Sequence, residues 1–317
     1  MDHLYPLLKS VTIFFLLVVF IQLLKRQGIF DDSHQPVFNR LVTELALPVT
    51  IFSTLAVSRI YADQILAAVI MLGSIAVCCL LAYCACRVMK LSGGVTGSLV
   101  MLAGFGSTST LAYPLIRQTF GSDSQAMALG LLIGEFGVCI PFFTAGVLMA
   151  AWFGSRDAQK RPDVWPVMKN FFVSPIFISF IFGLLISQIP AASGFLSNDF
   201  WTTFFGYFNN GLEILVAVSL GLMLKPVKIR HIFSFFLLIV GLKLILQPLV
   251  VLCGATLAAL PTLSTEILII EAAMPSGAVA AVIADRYGCD GPLASALVIA
   301  TYLVSLVTIP LITYLVI

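Results

Sequence analysis

Charge is scarce in this sequence. The 317 residues include only 17 Lys or Arg and 15 Asp or Glu, 10% of the chain, where soluble domains carry about 25%. Such a chain cannot cover a globular surface with polar groups, so an ordinary soluble fold is excluded. Histidine is rarer still: His3, His34 and His231 all lie outside the apolar stretches, which argues against a buried metal cluster or a Ser-His nucleophile. The sequence contains no H-E-x-x-H, no G-x-S-x-G and no G-x-x-x-x-G-K-[ST], so the parts of a zinc protease, a serine hydrolase and a nucleotide-driven pump are missing. YGCD at 287 to 290 is not the G-x-G-D of membrane aspartyl proteases. None of the seven cysteines forms a C-x-x-C pair, and they read as small buried thiols. The expectation is a chain that is not an enzyme and carries no cofactor and no metal. A net charge of +2 without a basic stripe gives no footprint for nucleic acid.

Apolar sequence is abundant. Hydrophobic residues make up 60% of the chain and the mean hydropathy is +1.07. Ten apolar runs, near 6 to 24, 37 to 57, 65 to 86, 95 to 119, 125 to 153, 168 to 189, 200 to 223, 232 to 260, 263 to 285 and 292 to 316, approach the roughly 20 residues needed to span hydrocarbon. The first ends in Leu23, Leu24, Lys25 and Arg26 with no small-residue cleavage site and reads as an anchor. Assigning loops to alternate sides places thirteen of the seventeen basic residues on one side, three (Lys9, Arg59, Arg117) on the other, and Lys243 within a span. Basic loops stay cytoplasmic, so both termini are expected outside.

The polar stretch 154–167 divides the chain into a first repeat, 1–153, and a second, 168–317, in one integrated domain. Aromatic-Gly-x-Asp occurs in both, at Phe120 to Asp123 and at Tyr287 to Asp290, and a proline lies upstream of each, Pro114 in LAYP and Pro275 in AAMP. Five spans per half would set the repeats in opposite orientations, a plan common in secondary transporters. The predicted fold is all-α, with ten transmembrane helices in two inverted five-helix repeats. The fourth and ninth helices should be broken, because Pro114 has Gly104, Gly106, Ser107, Thr108, Ser109 and Thr110 beside it, and Pro275 has Glu271, Met274, Ser276 and Gly277. Opened helix ends carry partial charges that can hold an ion. Pro48, Pro141, Pro175, Pro248 and Pro310 read as simple kinks.

FGSTSTLAYPL at 105 to 115 and AAMPSGAVAAVIADRYG at 272 to 288, followed by TYLVSLVTIP, resemble the auxin efflux carrier family, which includes bacterial malonate and other organic-acid carriers and plant auxin exporters. The resemblance implies a fold similar to sodium/proton antiporters and bile acid symporters, with helices 4 and 9 crossing. It implies a fixed scaffold of spans 1, 2, 6 and 7, a moving unit of spans 3 to 5 and 8 to 10, a homodimer, and residence in a bacterial inner membrane. Ser107 stands where the family usually has an asparagine that contacts substrate in the plant relatives.

Five ionisable residues fall inside predicted spans: Glu44, Glu135, Glu213, Lys243 and Glu271. Mid-membrane charges cost about 2.5–3.5 kcal/mol on insertion scales and normally face a cavity or a partner. Glu271, four residues before Pro275 and so on its helix face, reads as a proton-exchanging group, a partner of Lys243, or a fixed support of the break. Lys243 and Gln247 share a face and either address the crossing or, for Lys243, snorkel outward. Glu135 and Glu213 read as proton sites or structural partners, while Arg117 is a loop charge. The small-residue pairs Gly93 with Gly97 and Gly130 with Gly134 predict close helix contacts. The expected function is secondary transport of small organic anions by elevator-type alternating access. Ser107, Thr108, Ser109, Pro114, Met274, Pro275, Ser276, Gly277, Lys243 and Gln247 would bind the anion, and proton coupling would use Glu271, Glu213 or Glu135. The alternatives are a sodium-coupled, bile-acid-like symporter and a non-transporting membrane sensor.

Overall fold

The computed structural model describes residues 4–31, 33–57, 62–121, 124–154, 165–223 and 232–316. Most of the 154–167 linker lies outside the described residues, as do Arg59, Arg156, Lys160, Arg161, Lys225, Lys228 and Arg230. Among the described residues the chain is all helix, apart from turns and one isolated antiparallel bridge between Gly106 and Ser276. Among the described residues four helices are long and apolar enough by themselves to cross a membrane: Gln64–Val88, Gln125–Gly154, Phe233–Leu257 and Gly291–Ile312. Joining the bent pair Pro175–Ser187 and Pro190–Leu196 makes five. Ten crossings follow only when the other apolar runs, several of them broken, are counted as spans too.

Four of the prolines stand just after a locally widened turn. The π-helical segments Leu41–Ala46, Thr108–Ala112, Ile133–Cys139 and Val240–Leu246 lead into Pro48, Pro114, Pro141 and Pro248. A proline ring collides with the carbonyl four residues back and offers no N–H; a wider turn moves that carbonyl aside, so the helix continues across the proline. Pro175 instead begins a helix behind Ser174, whose hydroxyl accepts Phe177 N–H at 3.2 Å. Pro310 lies within the helix Gly291–Val316.

The chain forms two compact units. The first comprises 1–61, 109–131 and 169–225. In it the helix Leu4–Arg26 packs on Asp199–Met223, and Leu47–Val57 packs on Pro175–Ser187. Small residues set the approach: a methyl on Gly221 would stand 2.8 Å from Ile21 Cβ, and one on Gly183 2.9 Å from Leu55 Cβ. Ile21, Val218 and Leu222 form the buried core of the first pair, while Gln22 and Lys25 (2.9 Å) donate to the carbonyls of Gly221 and Leu222. Arg117 bonds Asn210 Oδ1 at 3.2 Å. Glu44 is not buried; it pairs with Arg40 at 3.0 Å on an exposed face.

The second unit comprises 62–108, 132–168 and 226–317. Ala62–Val88 packs against Gly93–Gly104, the π-helical Ile133–Cys139 and Gln247–Leu257, and Gly291–Val316 packs against Ala278–Arg286. Gly97 is the close contact that its spacing predicts, since a methyl there would lie 2.8 Å from Phe153 Cβ. Cys78, Cys79, Cys86 and Cys289 are buried thiols, whereas Cys84 and Cys253 are exposed, which corrects the expectation of uniformly buried cysteines. Gly121 and Gly288, the glycines of the two Aromatic-Gly-x-Asp motifs, both take positive φ, 63° and 82°, the conformation that favours glycine.

The tightest small-residue contact is at Gly154, where an added Cβ would overlap the carbonyl of Tyr287 and stand 2.9 Å from Gly288 C. Backbone cannot swing away as a side chain can. Gly154→Ala is therefore expected to destabilise the protein by about 1–3 kcal/mol and lower its melting temperature in detergent. The control Gly73→Ala, with nothing within 4 Å of the new methyl, should be neutral or stabilising by up to about 1 kcal/mol; equal melting of the two variants would refute the close approach.

Candidate functional site

The fourth run is broken at Phe105 to Ser107, between the helix Gly93–Gly104 and the π-helical Thr108–Ala112; the ninth is broken between Thr262–Ala272 and Ala278–Arg286. Both gaps lie in the second unit, and they pair with each other. Ser107 N–H donates to Pro275 O at 2.9 Å and Gly277 N–H to Phe105 O at 3.0 Å, forming the antiparallel bridge of Gly106 with Ser276. A Cβ on Gly277 would stand 3.1 Å from Gly106 O, so glycine permits the strands to touch. This is local β pairing in an otherwise helical protein, and it supplies the hydrogen bonds that an apolar interior demands.

The sequence alignment of Pro114 with Pro275 is not the structural one. Pro275 lies in its gap, but Pro114 is buried at the start of the helix Tyr113–Phe120, past the widened turn that accommodates it. It is the glycine and serine content at 104 to 107, not Pro114, that opens the fourth run. Pro114 belongs to the first unit, along with Glu213; the side chains of Glu213 and Ser109 lie outside the described residues.

The remaining predicted residues gather in the second unit. Ser107, Thr108, Met274, Pro275, Ser276, Lys243, Gln247, Glu271 and Glu135 are buried, and Gly277 is partly exposed. Ser276 spends its hydroxyl on Leu102 O (2.8 Å), in the last turn of Gly93–Gly104, and its N–H on Thr301 Oγ1 (3.3 Å). Thr108 Oγ1 contacts Cys139 Sγ at 3.5 Å. Ser107 Oγ accepts the hydroxyl of Tyr302 at 2.5 Å, which turns the serine's own proton away from Tyr302. Tyr302 and Thr301 bond the paired breaks at Ser107 and Ser276, and the reading of charges and breaks passed over them. Their signal was present in the TYLVS segment after the second Aromatic-Gly-x-Asp.

Lys243 does not snorkel: it is 1% exposed. Its Nζ donates to Gln247 Oε1 and to Ala272 O at 3.3 Å, the end of the first half-helix of the ninth run. Gln247 Nε2 donates to Gly104 O at 3.2 Å, the matching end in the fourth run, and to Ser74 Oγ at 3.3 Å. One helix thus caps both carbonyl ends, whose dipoles are partially negative.

Glu271 is not fixed by a hydrogen bond and forms no ion pair with Lys243, whose ammonium donates to Gln247 and Ala272 instead. It is 1% exposed, and neither carboxyl oxygen has a hydrogen-bond partner among the described residues. Nor does it share a helix face with Pro275, because the helix ends at Ala272. The charges of Lys243 and Glu135 both act on it. Glu135 and Lys243 each lie in a π-helical turn, a distortion often found at functional sites. Among the described residues no cluster of His, Cys, Asp or Glu is arranged to hold a metal ion.

Comparisons with known proteins place the chain among membrane transporters. A family described as membrane transport protein matches residues 6–313. An uncharacterised transporter of Methanothermobacter thermautotrophicus (strain Delta H) is 27% identical over 297 residues, 93% of either chain. Another, from Methanocaldococcus jannaschii, is 26% identical over 292 residues, 90% of either chain. Paired helix breaks in an apolar, all-helical chain and a match running nearly end to end lead to one conclusion: the protein belongs to the auxin efflux carrier family of membrane transport proteins.

Proposed function

We propose that the protein is a secondary carrier of small organic anions, mono- or dicarboxylates, and that the paired breaks form its binding site. One observation carries this reading: the two kinds of helix end at the breaks are treated differently. The carbonyl ends are capped from within by Lys243, Gln247 and Ser276, whereas the helix Ala278–Arg286 begins at Gly277 with no side-chain cap. An uncapped N-terminus carries partial positive charge and free N–H groups suited to a carboxylate. Ser107, with its hydroxyl oxygen engaged by Tyr302, has a proton to offer the same ligand. Thr108, Met274 and Pro275, all in the second unit, would shape the pocket.

Alternating access by an elevator motion accords with the division of the chain. The second unit holds the third run, the first half of the fourth, most of the fifth, and the eighth to tenth, and the first unit holds the first, second, sixth and seventh. A carboxylate entering beside Glu271 and Glu135 adds a third acid to a region with one buried ammonium, Lys243. Carrying a proton with the anion balances that charge, with Glu271 as the exchanging group and Cys139 and Thr108 nearby. The cell membrane, with both termini outside, and a homodimer complete the proposal.

In liposomes the protein should show saturable, counterflow-competent uptake of a carboxylate, which a sensor or open channel would not. Tyr302→Phe frees Ser107 to rotate and should raise KM by about 2- to 10-fold, the equivalent of one hydrogen bond, with kcat largely kept; an unchanged KM removes Ser107 from the site. Glu271→Gln should transport with little dependence on pH from mildly acid to neutral conditions, and a wild-type pH profile in that variant would assign the proton elsewhere.

A further inference from the structure

The carbonyl end of one broken helix and a side-chain amide oxygen converge on one ammonium group, and the same amide caps the carbonyl end of the other broken helix. Lys243 Nζ is held by Ala272 O and Gln247 Oε1, and Gln247 reaches Gly104 O. Gly106 closes over the group, since a methyl at that position would stand 2.8 Å from Nζ and 3.1 Å from Cε. Half-helix carbonyl ends and unwound backbone carbonyls are the ligands that hold small monovalent cations in interrupted membrane helices. Glu271, the residue before Ala272, holds a buried carboxyl group with no hydrogen-bond partner among the described residues.

We propose that Ala272 O and Gln247 Oε1 form a monovalent-cation site whose native occupant is the tethered ammonium of Lys243, and that truncating Lys243 opens it to a free small cation such as sodium, potassium or methylammonium. The native chain then needs no alkali cation at its paired breaks, because the cation is covalently supplied. The buried lysine supplies the cation on its own side chain. This goes beyond the identity of the cargo, and its test needs no transported substrate, so failure of the anion-carrier reading and failure of this site are separately visible.

The experiment compares melting temperatures of purified wild-type protein, Lys243→Ala and Lys243→Met in sodium, potassium, methylammonium and choline chlorides at equal ionic strength. Wild-type protein should melt alike in all four. Lys243→Ala should melt lower in choline and regain a few degrees in the three small cations, as expected when a ligand binds only the folded state. Lys243→Met, whose side chain occupies the stem volume without charge, should be destabilised and regain nothing. If Lys243→Ala yields no folded protein in choline, solubilisation in methylammonium or sodium should recover it. A sodium-specific gain by the wild type, identical melting of Lys243→Ala in all four salts, equal recovery of the Met variant, or failure of small cations to rescue folding would each overturn the proposal.

Discussion

A helix broken inside an apolar interior strands carbonyls on one side of the gap and N–H groups on the other, and each costs free energy unless a partner is found. The second unit answers this demand twice over. The two gaps lend each other two backbone hydrogen bonds at Gly106 and Ser276, and the carbonyl ends take donors from Lys243, Gln247 and Ser276. An unmade buried hydrogen bond costs about 1–3 kcal/mol, so neither break would persist without the other. The pairing is the constraint from which the position of every other group in the site follows.

The two devices that loosen helices here have different consequences. Widened turns at Thr108–Ala112, Ile133–Cys139 and Val240–Leu246 keep the helix continuous past a proline. They also shift the register of the side chains they contain, which include Thr108, Glu135 and Lys243. Extended gaps at Phe105 to Ser107 and Pro275 to Gly277 end the helix outright and expose its dipole. A buried lysine bonded to the Ala272 carbonyl and a buried glutamate without a hydrogen-bond partner among the described residues meet at the same helix end. The arrangement caps the negative helix ends internally and leaves the positive end at Gly277 without a side-chain cap.

Much of the fold was legible in the sequence, for a simple reason. Scarcity of charge and long apolar runs leave a chain no state but helices, since only a helix satisfies its own backbone within one segment. The site was legible in part. Ser107, Met274, Ser276, Lys243, Gln247 and Glu271 stand out as polar or small residues in apolar surroundings, and the structure gathers them in one unit. Tyr302 did not stand out, because an aromatic residue in a hydrophobic helix looks like core until its hydroxyl is seen to reach Ser107. Pro114 misled in the opposite sense: proline is visible in a sequence, but a widened turn that absorbs it is not.

By itself, the sequence determined that this protein is an apolar helical chain with interruptions in its fourth and ninth runs, because hydropathy and small-residue content are local properties. Only the tertiary structure decided where the breaks fall, that they pair at Gly106 and Ser276, and that Lys243 caps Ala272 and leaves Glu271 without a hydrogen bond. Those outcomes depend on which distant backbone groups come within hydrogen-bonding reach once the helices pack, and no spacing along the chain encodes that distance.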